Sequence, residues 1–246
     1  MSLLGLERDG SGPLFVWLHG FTQSKNSAHQ FRSILTGTYE VLTIDLPGHG
    51  ENATTTASLE ETADLLAETL PEEPFILGGY SFGGRVALHF ALRHPERLRH
   101  LVVLSATPGI ADEGERTARR QRDEELARRI ERIGTDAFLS EWLDQPLFRT
   151  LPHDERERSA RSSDATGLAE SLRHAGTGTQ KDLTDALRSL GVATSILAGA
   201  NDAKFVGEAA RLRESIPNSL ATHVDNAGHA AHLEQPQRVA ELLSVL

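Results

Sequence analysis

The chain has 246 residues, with 25 Lys+Arg against 35 Asp+Glu (formal charge −10), 39% hydrophobic residues, 21 Gly and no Cys. This is the composition of a globular chain long enough for one α/β domain, with or without an insertion, and it excludes collagen-like and disordered architectures. The missing Cys excludes disulfides, Cys-ligated zinc, iron–sulfur clusters and a cysteine nucleophile, and the acidic balance disfavours nucleic acid and anionic membranes.

The N-terminal stretch MSLLGLERDG shows no basic leader followed by an apolar core, and runs such as Leu101-Val102-Val103-Leu104 are far too short to cross a bilayer. A cytoplasmic chain is the expectation. The first predicted strand is Leu14-Phe15-Val16-Trp17-Leu18. It runs into His19-Gly20-Phe21, which is either a tight turn or a loop that presents the Phe21 amide to a developing oxyanion. A second strand, Val41-Leu42-Thr43-Ile44, precedes Asp45-Leu46-Pro47-Gly48-His49-Gly50, read as a structural turn. Leu59, Thr62, Ala63, Leu66 and Leu70 then share one helical face.

Phe75-Ile76-Leu77 is the next strand, followed by Gly78-Gly79-Tyr80-Ser81-Phe82-Gly83-Gly84-Arg85 and a helical pattern through Val86, Phe90 and Arg93. Gly79-x-Ser81-x-Gly83 between a strand and a helix is the pattern of a nucleophile elbow, in which so sharp a turn requires flanking residues without side chains. A Gly-rich turn with no chemistry is the alternative. The Phe82 amide, at the start of the helix, would be the second oxyanion donor. Arg85 lies one turn beyond Ser81 and is either a cation facing the same site or a helix-surface arginine.

After the strand Leu101–Leu104 the alternation stops, and residues 107–190 show only helical character and polar loops. Glu113 to Arg132 holds seven Arg among six acidic residues, read mostly as a solvated, salt-bridged helix face. The segment is expected to be a helical lid over the carboxyl edge of the sheet, with 1–106 and 191–246 forming the core. Strands resume at Thr194-Ser195-Ile196-Leu197 and Ala221-Thr222-His223-Val224, and Val239, Leu242, Leu243 and Leu246 share a final helical face. Strand–helix alternation of this kind implies a doubly wound, mostly parallel sheet with its site at the strand carboxyl ends. Asp202 and His229 each follow a strand, and with Ser81 they stand in the order Ser, Asp, His. His232 could pair with His229 on a metal, but no third ligand is placed, so we read it as a helix-surface residue and expect no metal.

With these pieces in place the whole chain resembles the α/β-hydrolase superfamily, which implies a mostly parallel sheet flanked by helices. A narrower resemblance rests on Gly79-Tyr80-Ser81-Phe82-Gly83-Gly84-Arg85, Glu115-Arg116-x-Ala118-Arg119, Trp142-x-x-Gln145-Pro146-Leu147-Phe148, Arg161-Ser162 and Asp202-Ala203-Lys204-Phe205. These are similar to the MenH family, the 2-succinyl-6-hydroxy-2,4-cyclohexadiene-1-carboxylate synthases of menaquinone biosynthesis. The family eliminates pyruvate from a cyclohexene precursor without a cofactor. The resemblance implies a triad of Ser81, Asp202 and His229, with the serine acting as part of a proton-abstracting base. It implies that Arg85, Arg119 and Arg161 meet substrate carboxylates, and that Tyr80, Trp142 and Phe148 line the pocket. For Arg119 and Arg161, a small shift of alignment would substitute Arg116, Arg120, Arg122 or Arg158. Glu141-Trp142-Leu143, Leu104-Ser105-Ala106-Thr107-Pro108-Gly109 and Phe82 depart from the commoner family pattern.

Abstracting a proton next to a ring carboxylate builds enolate-like charge that an oxyanion hole stabilises, while guanidinium groups fix the remaining carboxylates. The expected partner is therefore a small polycarboxylate. A serine esterase or C–C bond hydrolase uses the same triad, and a non-catalytic binding protein on the same fold would not need it.

Overall fold

The structure, a computed structural model, describes residues 4–246, so the first three residues of the N-terminal segment read above lie outside it. Among the described residues seven strands form one sheet: β1 (Leu6–Gly10), β2 (Leu14–Leu18), β3 (Glu40–Ile44), β4 (Phe75–Tyr80), β5 (Leu98–Leu104), β6 (Thr194–Gly199) and β7 (Ser219–Val224). Their spatial order is β1-β3-β2-β4-β5-β6-β7, with only β1 antiparallel. The sequence reading missed β1, and the reason is physical. LERDG is an edge strand with one half-buried and four exposed residues, so it carries neither the apolar run of a central strand nor a buried alternating face. By contrast, β4 is buried at all six positions, and its centre pairs with β2 on one side and β5 on the other.

Helices α1 (His29–Leu35), α2 (Leu59–Thr69) and α3 (Phe82–Arg93) belong to the N-terminal part of the sheet. A capping box fixes the start of α2: Ser58 Oγ accepts from the Glu61 N–H while the Glu61 carboxylate accepts from the Ser58 N–H. The face predicted for α2 is buried throughout, from Leu59 to Leu70. On α3, Val86 and Phe90 are buried but Arg93 is exposed and pairs with Asp64, so it does not share their environment. Leu246 is likewise more than a third exposed, unlike Val239 and Leu243.

Between β5 and β6 the chain runs through α4 (Glu113–Ile133), α5 (Thr135–Leu143), α6 (Glu155–Ser159), α7 (Ala165–Ala175) and α8 (Thr184–Leu187). Ala127, Ile130, Phe138, Leu168, Ala169 and Leu172 give this insertion a small apolar core of its own. Its outer face is held by ion pairs, Arg173 joining Glu124, Glu131 and Glu170, and Arg129 joining Glu141. The chain closes with α9 (Ala203–Ser215), α10 (Ala231–Glu234) and α11 (Pro236–Leu243). Among the described residues no helix is long and apolar enough to cross a membrane.

Candidate active site

Parallel strands bring Phe21, Ser81, Asp202 and His229 to one edge, because each follows the carboxyl end of a different strand: β2, β4, β6 and β7. Ser81 sits between β4 and α3 at φ 52°, ψ −104°, a conformation that a non-glycine residue adopts only where the surroundings impose it. Those surroundings are its flanking glycines. A Cβ on Gly79 would collide with the Gly83 carbonyl, and one on Gly83 would collide with the carbonyls of Leu18 and His19. The Ser81 N–H donates to Leu104 O (2.9 Å) and the Gly83 N–H to His19 O (3.1 Å), tying the turn to β5 and to the loop after β2.

His229 Nδ1–H donates to Asp202 Oδ2 at 3.0 Å, which leaves Nε2 to accept from Ser81 Oγ at 3.1 Å. Asp202 is itself oriented by accepting the Phe205 N–H. Burial lowers the His229 pKa, and although Asp202 works in the opposite direction the net shift is downward, so the imidazole is neutral and basic at neutral pH. Burial works to raise the Asp202 pKa, but the hydrogen bond and charge of His229 outweigh it and hold the carboxyl below its usual value. Tyr80, Phe148 and Phe205 surround the imidazole, with ring centroids 5.3, 6.0 and 4.4 Å away.

The backbone N–H groups of Phe21 and Phe82 have no acceptor among the described residues, and both residues line the cavity that opens in front of Ser81. The loop before Phe21 is set by His19, whose Nδ1–H donates to Gly20 O while Nε2 accepts from the Leu46 N–H. Burial drives the His19 pKa down to about 4, which keeps this ring neutral.

The cavity, about 130 Å³, has four cations on its wall and no carboxylate: Arg85, Arg119, Arg161 and Lys204. Arg85 is buried and donates only to the Ala175 carbonyl (2.9 Å) and to Gln180 Oε1 (3.5 Å). Burial, reinforced by the Arg119 charge, lowers its pKa to about 9, which leaves it cationic at neutral pH. Arg119 is held by Asp123 at 2.7 Å, and Arg161 donates to Thr22 Oγ1 at 2.6 Å. Burial lowers the Arg161 pKa, and its Nε has no protein partner.

Of the eleven residues singled out from the sequence, ten line this cavity: Phe21, Tyr80, Ser81, Phe82, Arg85, Arg119, Trp142, Phe148, Arg161 and His229. Asp202 stands behind His229. The alternative arginines lie elsewhere: Arg116 pairs with Glu113, Arg120 faces Gly178 O and Arg158 contacts Ser140. Lys204 and Phe205 also line the cavity, and sequence reasoning assigns them no role. Their position just after Asp202, at the end of β6, was the available signal. The reading of His232 as a surface residue is wrong. It is completely buried, its ring 4.4 Å from Tyr80, 5.4 Å from Trp17 and 5.7 Å from Phe31, because α10 turns this face inward against β2 and β4. Among the described residues no group of His, Cys, Asp and Glu is arranged to hold a metal ion.

Residues 15–242 match the α/β-hydrolase family. The 2-succinyl-6-hydroxy-2,4-cyclohexadiene-1-carboxylate synthase of Enterobacter sp. (strain 638) is 36% identical, over 99% of this chain and 96% of that protein. The solved structure of MenH from S. aureus superposes with a TM-score of 0.90 at 32% identity, covering 97% of this chain and 96% of that one. A thermophilic esterase from Thermogutta terrifontis, solved with malate bound, superposes with a TM-score of 0.82 at 28% identity, covering 98% of this chain and 91% of that one. The chain therefore belongs to the α/β-hydrolase family and, within it, to the 2-succinyl-6-hydroxy-2,4-cyclohexadiene-1-carboxylate synthases.

Proposed function

We propose that this protein is a lyase of menaquinone biosynthesis. It eliminates pyruvate from 2-succinyl-5-enolpyruvyl-6-hydroxy-3-cyclohexene-1-carboxylate to give 2-succinyl-6-hydroxy-2,4-cyclohexadiene-1-carboxylate, acting in the cytoplasm with residues 107–190 as a lid over a core of 1–106 and 191–246. The observation that carries the reading is the coincidence in one cavity of a Ser–His–Asp arrangement with four cations and no acidic lining residue. The substrate bears three carboxylates. An uncharged ester would leave Arg85, buried without a carboxylate partner, uncompensated.

The two compound names fix the bond changes. The ring proton at C2 is lost, the C3=C4 double bond becomes C2=C3 and C4=C5, and the C5–O bond to the enolpyruvyl group breaks. The C2 proton is acidified by the adjacent succinyl ketone, whose oxygen gains charge as the proton leaves. In our reading Ser81 Oγ, backed by His229 Nε2, takes that proton, and the Phe21 and Phe82 amides hold the ketone oxygen. The Ser81 hydroxyl proton passes to His229 as Oγ takes the ring proton, Asp202 stabilises the imidazolium that forms, and the departing enolpyruvate takes up a proton from it to become pyruvate, which regenerates the neutral base. Arg85, Arg119 and Arg161 hold carboxylates, their permanent charge and forked donors fixing orientation as well as affinity. Tyr80, Trp142 and Phe148 supply apolar walls that exclude water.

The test is pyruvate release from the cyclohexene precursor. Release well above the uncatalysed rate, lost in Ser81→Ala, is expected. No release, together with fast turnover of short acyl esters, would replace the lyase by the esterase reading that the second structural relative suggests.

A further inference from the structure

Residues 157–162 of the insertion form a strap across the loop that follows β2. The Glu157 carboxylate accepts from the Ala28 and His29 N–H groups, both at 2.8 Å, and so caps α1, whose own N-cap residue, Ala28, makes no side-chain capping hydrogen bond. The Ala160 carbonyl accepts from Ser24 Oγ (2.6 Å) and Ser27 Oγ (3.4 Å). The Ser162 N–H donates to Thr22 O (2.8 Å) and Arg161 to Thr22 Oγ1. Thr22 (φ 69°) and Ala28 (φ 59°) are two of the five non-glycine residues at positive φ among those described, and both are gripped by the strap. The residue immediately before Thr22 is Phe21, whose ring also stands edge-on to Trp142 of the insertion, centroids 5.3 Å apart.

A β-branched residue at positive φ is strained and persists only when its surroundings hold it there. Within the loop the Gln23 N–H donates to the Gly20 carbonyl (3.1 Å) and closes a turn over Phe21 and Thr22, while the bonds made by Thr22 itself come from the insertion and fasten the turn that carries the Phe21 N–H. We propose that the strap assembles the oxyanion hole, with Thr22 and Glu157 as positioning residues. When the strap is seated, the Phe21 amide points at the developing oxyanion. When it lifts, the loop relaxes and that donor is lost. Arg161 links the two events, since the guanidinium read as a carboxylate holder is also the one bonded to Thr22.

The inference rests on the oxyanion role read for Phe21, so its test needs a readout that does not depend on the lyase reaction. A neutral organophosphate, diethyl 4-nitrophenyl phosphate, provides one. Ser81 Oγ bonds to phosphorus as its proton passes to His229, 4-nitrophenolate leaves, and the phosphoryl oxygen occupies the oxyanion hole. Thr22→Val keeps the branched shape and removes the hydroxyl, while Glu157→Gln acts from outside the cavity wall. Both are expected to slow Ser81 phosphorylation and to lower kcat for pyruvate release by roughly tenfold, with KM within about twofold. Thr22→Ser should restore both rates. Variants that raise KM alone and are phosphorylated at the wild-type rate would show that the strap only retains substrate, and would overturn the proposal. Slowed phosphorylation in a protein that releases no pyruvate would keep the proposal and sink the lyase reading instead.

Discussion

The two walls of the cavity are built by different means. The sheet edge places Ser81, Phe82 and His229 through backbone: strand ends, a forced turn, and glycines that cannot be replaced. The insertion places Arg119, Trp142 and Arg161 through side-chain bonds to its own helices and to the loop after β2. The first wall is fixed by backbone geometry, whereas the second is held by side-chain contacts that the carboxylates of the proposed substrate would compete for or complete. In the proposed reaction, chemistry belongs to the sheet edge and recognition to the insertion, with the strap at 157–162 as the place where the two are joined.

The largest expected effect strikes the sheet edge. Ser81→Ala should lower kcat for pyruvate release by about a thousandfold or more while leaving the thermal midpoint close to wild type, since the residue is only half buried at a cavity wall. Steady-state kinetics and a melting curve check both. A variant that keeps its turnover would move the base away from the triad and dissolve the division between the walls.

Arg85 tests the boundary, because it stands on the core helix α3 yet is oriented by the Ala175 and Gln180 acceptors of the insertion. A charge-assisted hydrogen bond contributes about 1.5–3 kcal/mol, so Arg85→Ala should raise KM for the tricarboxylate roughly tenfold to hundredfold. Turnover of a neutral short-chain ester should change little. Equal loss on both substrates would make Arg85 a structural residue.

A smaller effect comes from Lys204, whose positive charge contributes to lowering the His229 pKa, although burial is the larger cause. The base must be neutral to work, so kcat/KM should hold down to the ordinary histidine range near pH 6.5 and fall only below it. In Lys204→Gln the acid limb of the pH profile should move to higher pH. An unmoved limb would mean that Lys204 acts on substrate alone.

The same division decides what could be read from sequence. The triad was legible because strand ends, a Gly-x-Ser-x-Gly turn and a fixed order of residues locate it without knowledge of side-chain direction. The arginines of the insertion were legible only through resemblance. Arg116, Arg119 and Arg120 are neighbours on α4 with similar surroundings in sequence, and it is Asp123, reaching Arg119 at 2.7 Å, that separates the cavity arginine from the others. An edge strand such as β1 has no apolar signal, and it was missed for that reason. His232 was misread because its helix has four residues, too few for a periodic pattern to declare which face is buried.

His232 also gives the smallest effect, one of stability in the wall behind the triad. The ring is fully buried against Trp17, Phe31 and Tyr80, and neither nitrogen has a protein hydrogen-bond partner. Each buried polar atom left without a partner costs about 1–3 kcal/mol, so His232→Phe, close in shape and wholly apolar, should raise stability at pH 7 by about 1–2 kcal/mol. The pH dependence separates this from simple repacking. Burial drives the folded His232 pKa down to about 3, whereas in the unfolded chain it stands near 6.5. Between those values the unfolded chain binds a proton that the folded one refuses. Wild-type stability is thus fully present above pH 6.5 and lost as pH falls towards 3, by about 2 kcal/mol from this residue at pH 5. His19 and His49, also buried and neutral, contribute in the same direction to both proteins and cancel in the difference. The stability gap between His232→Phe and wild type, measured by urea unfolding, should therefore widen from pH 7 to pH 5. A gap that stays constant would mean that the folded protein accepts a proton on His232, and that the wall behind the triad is open enough to solvate it.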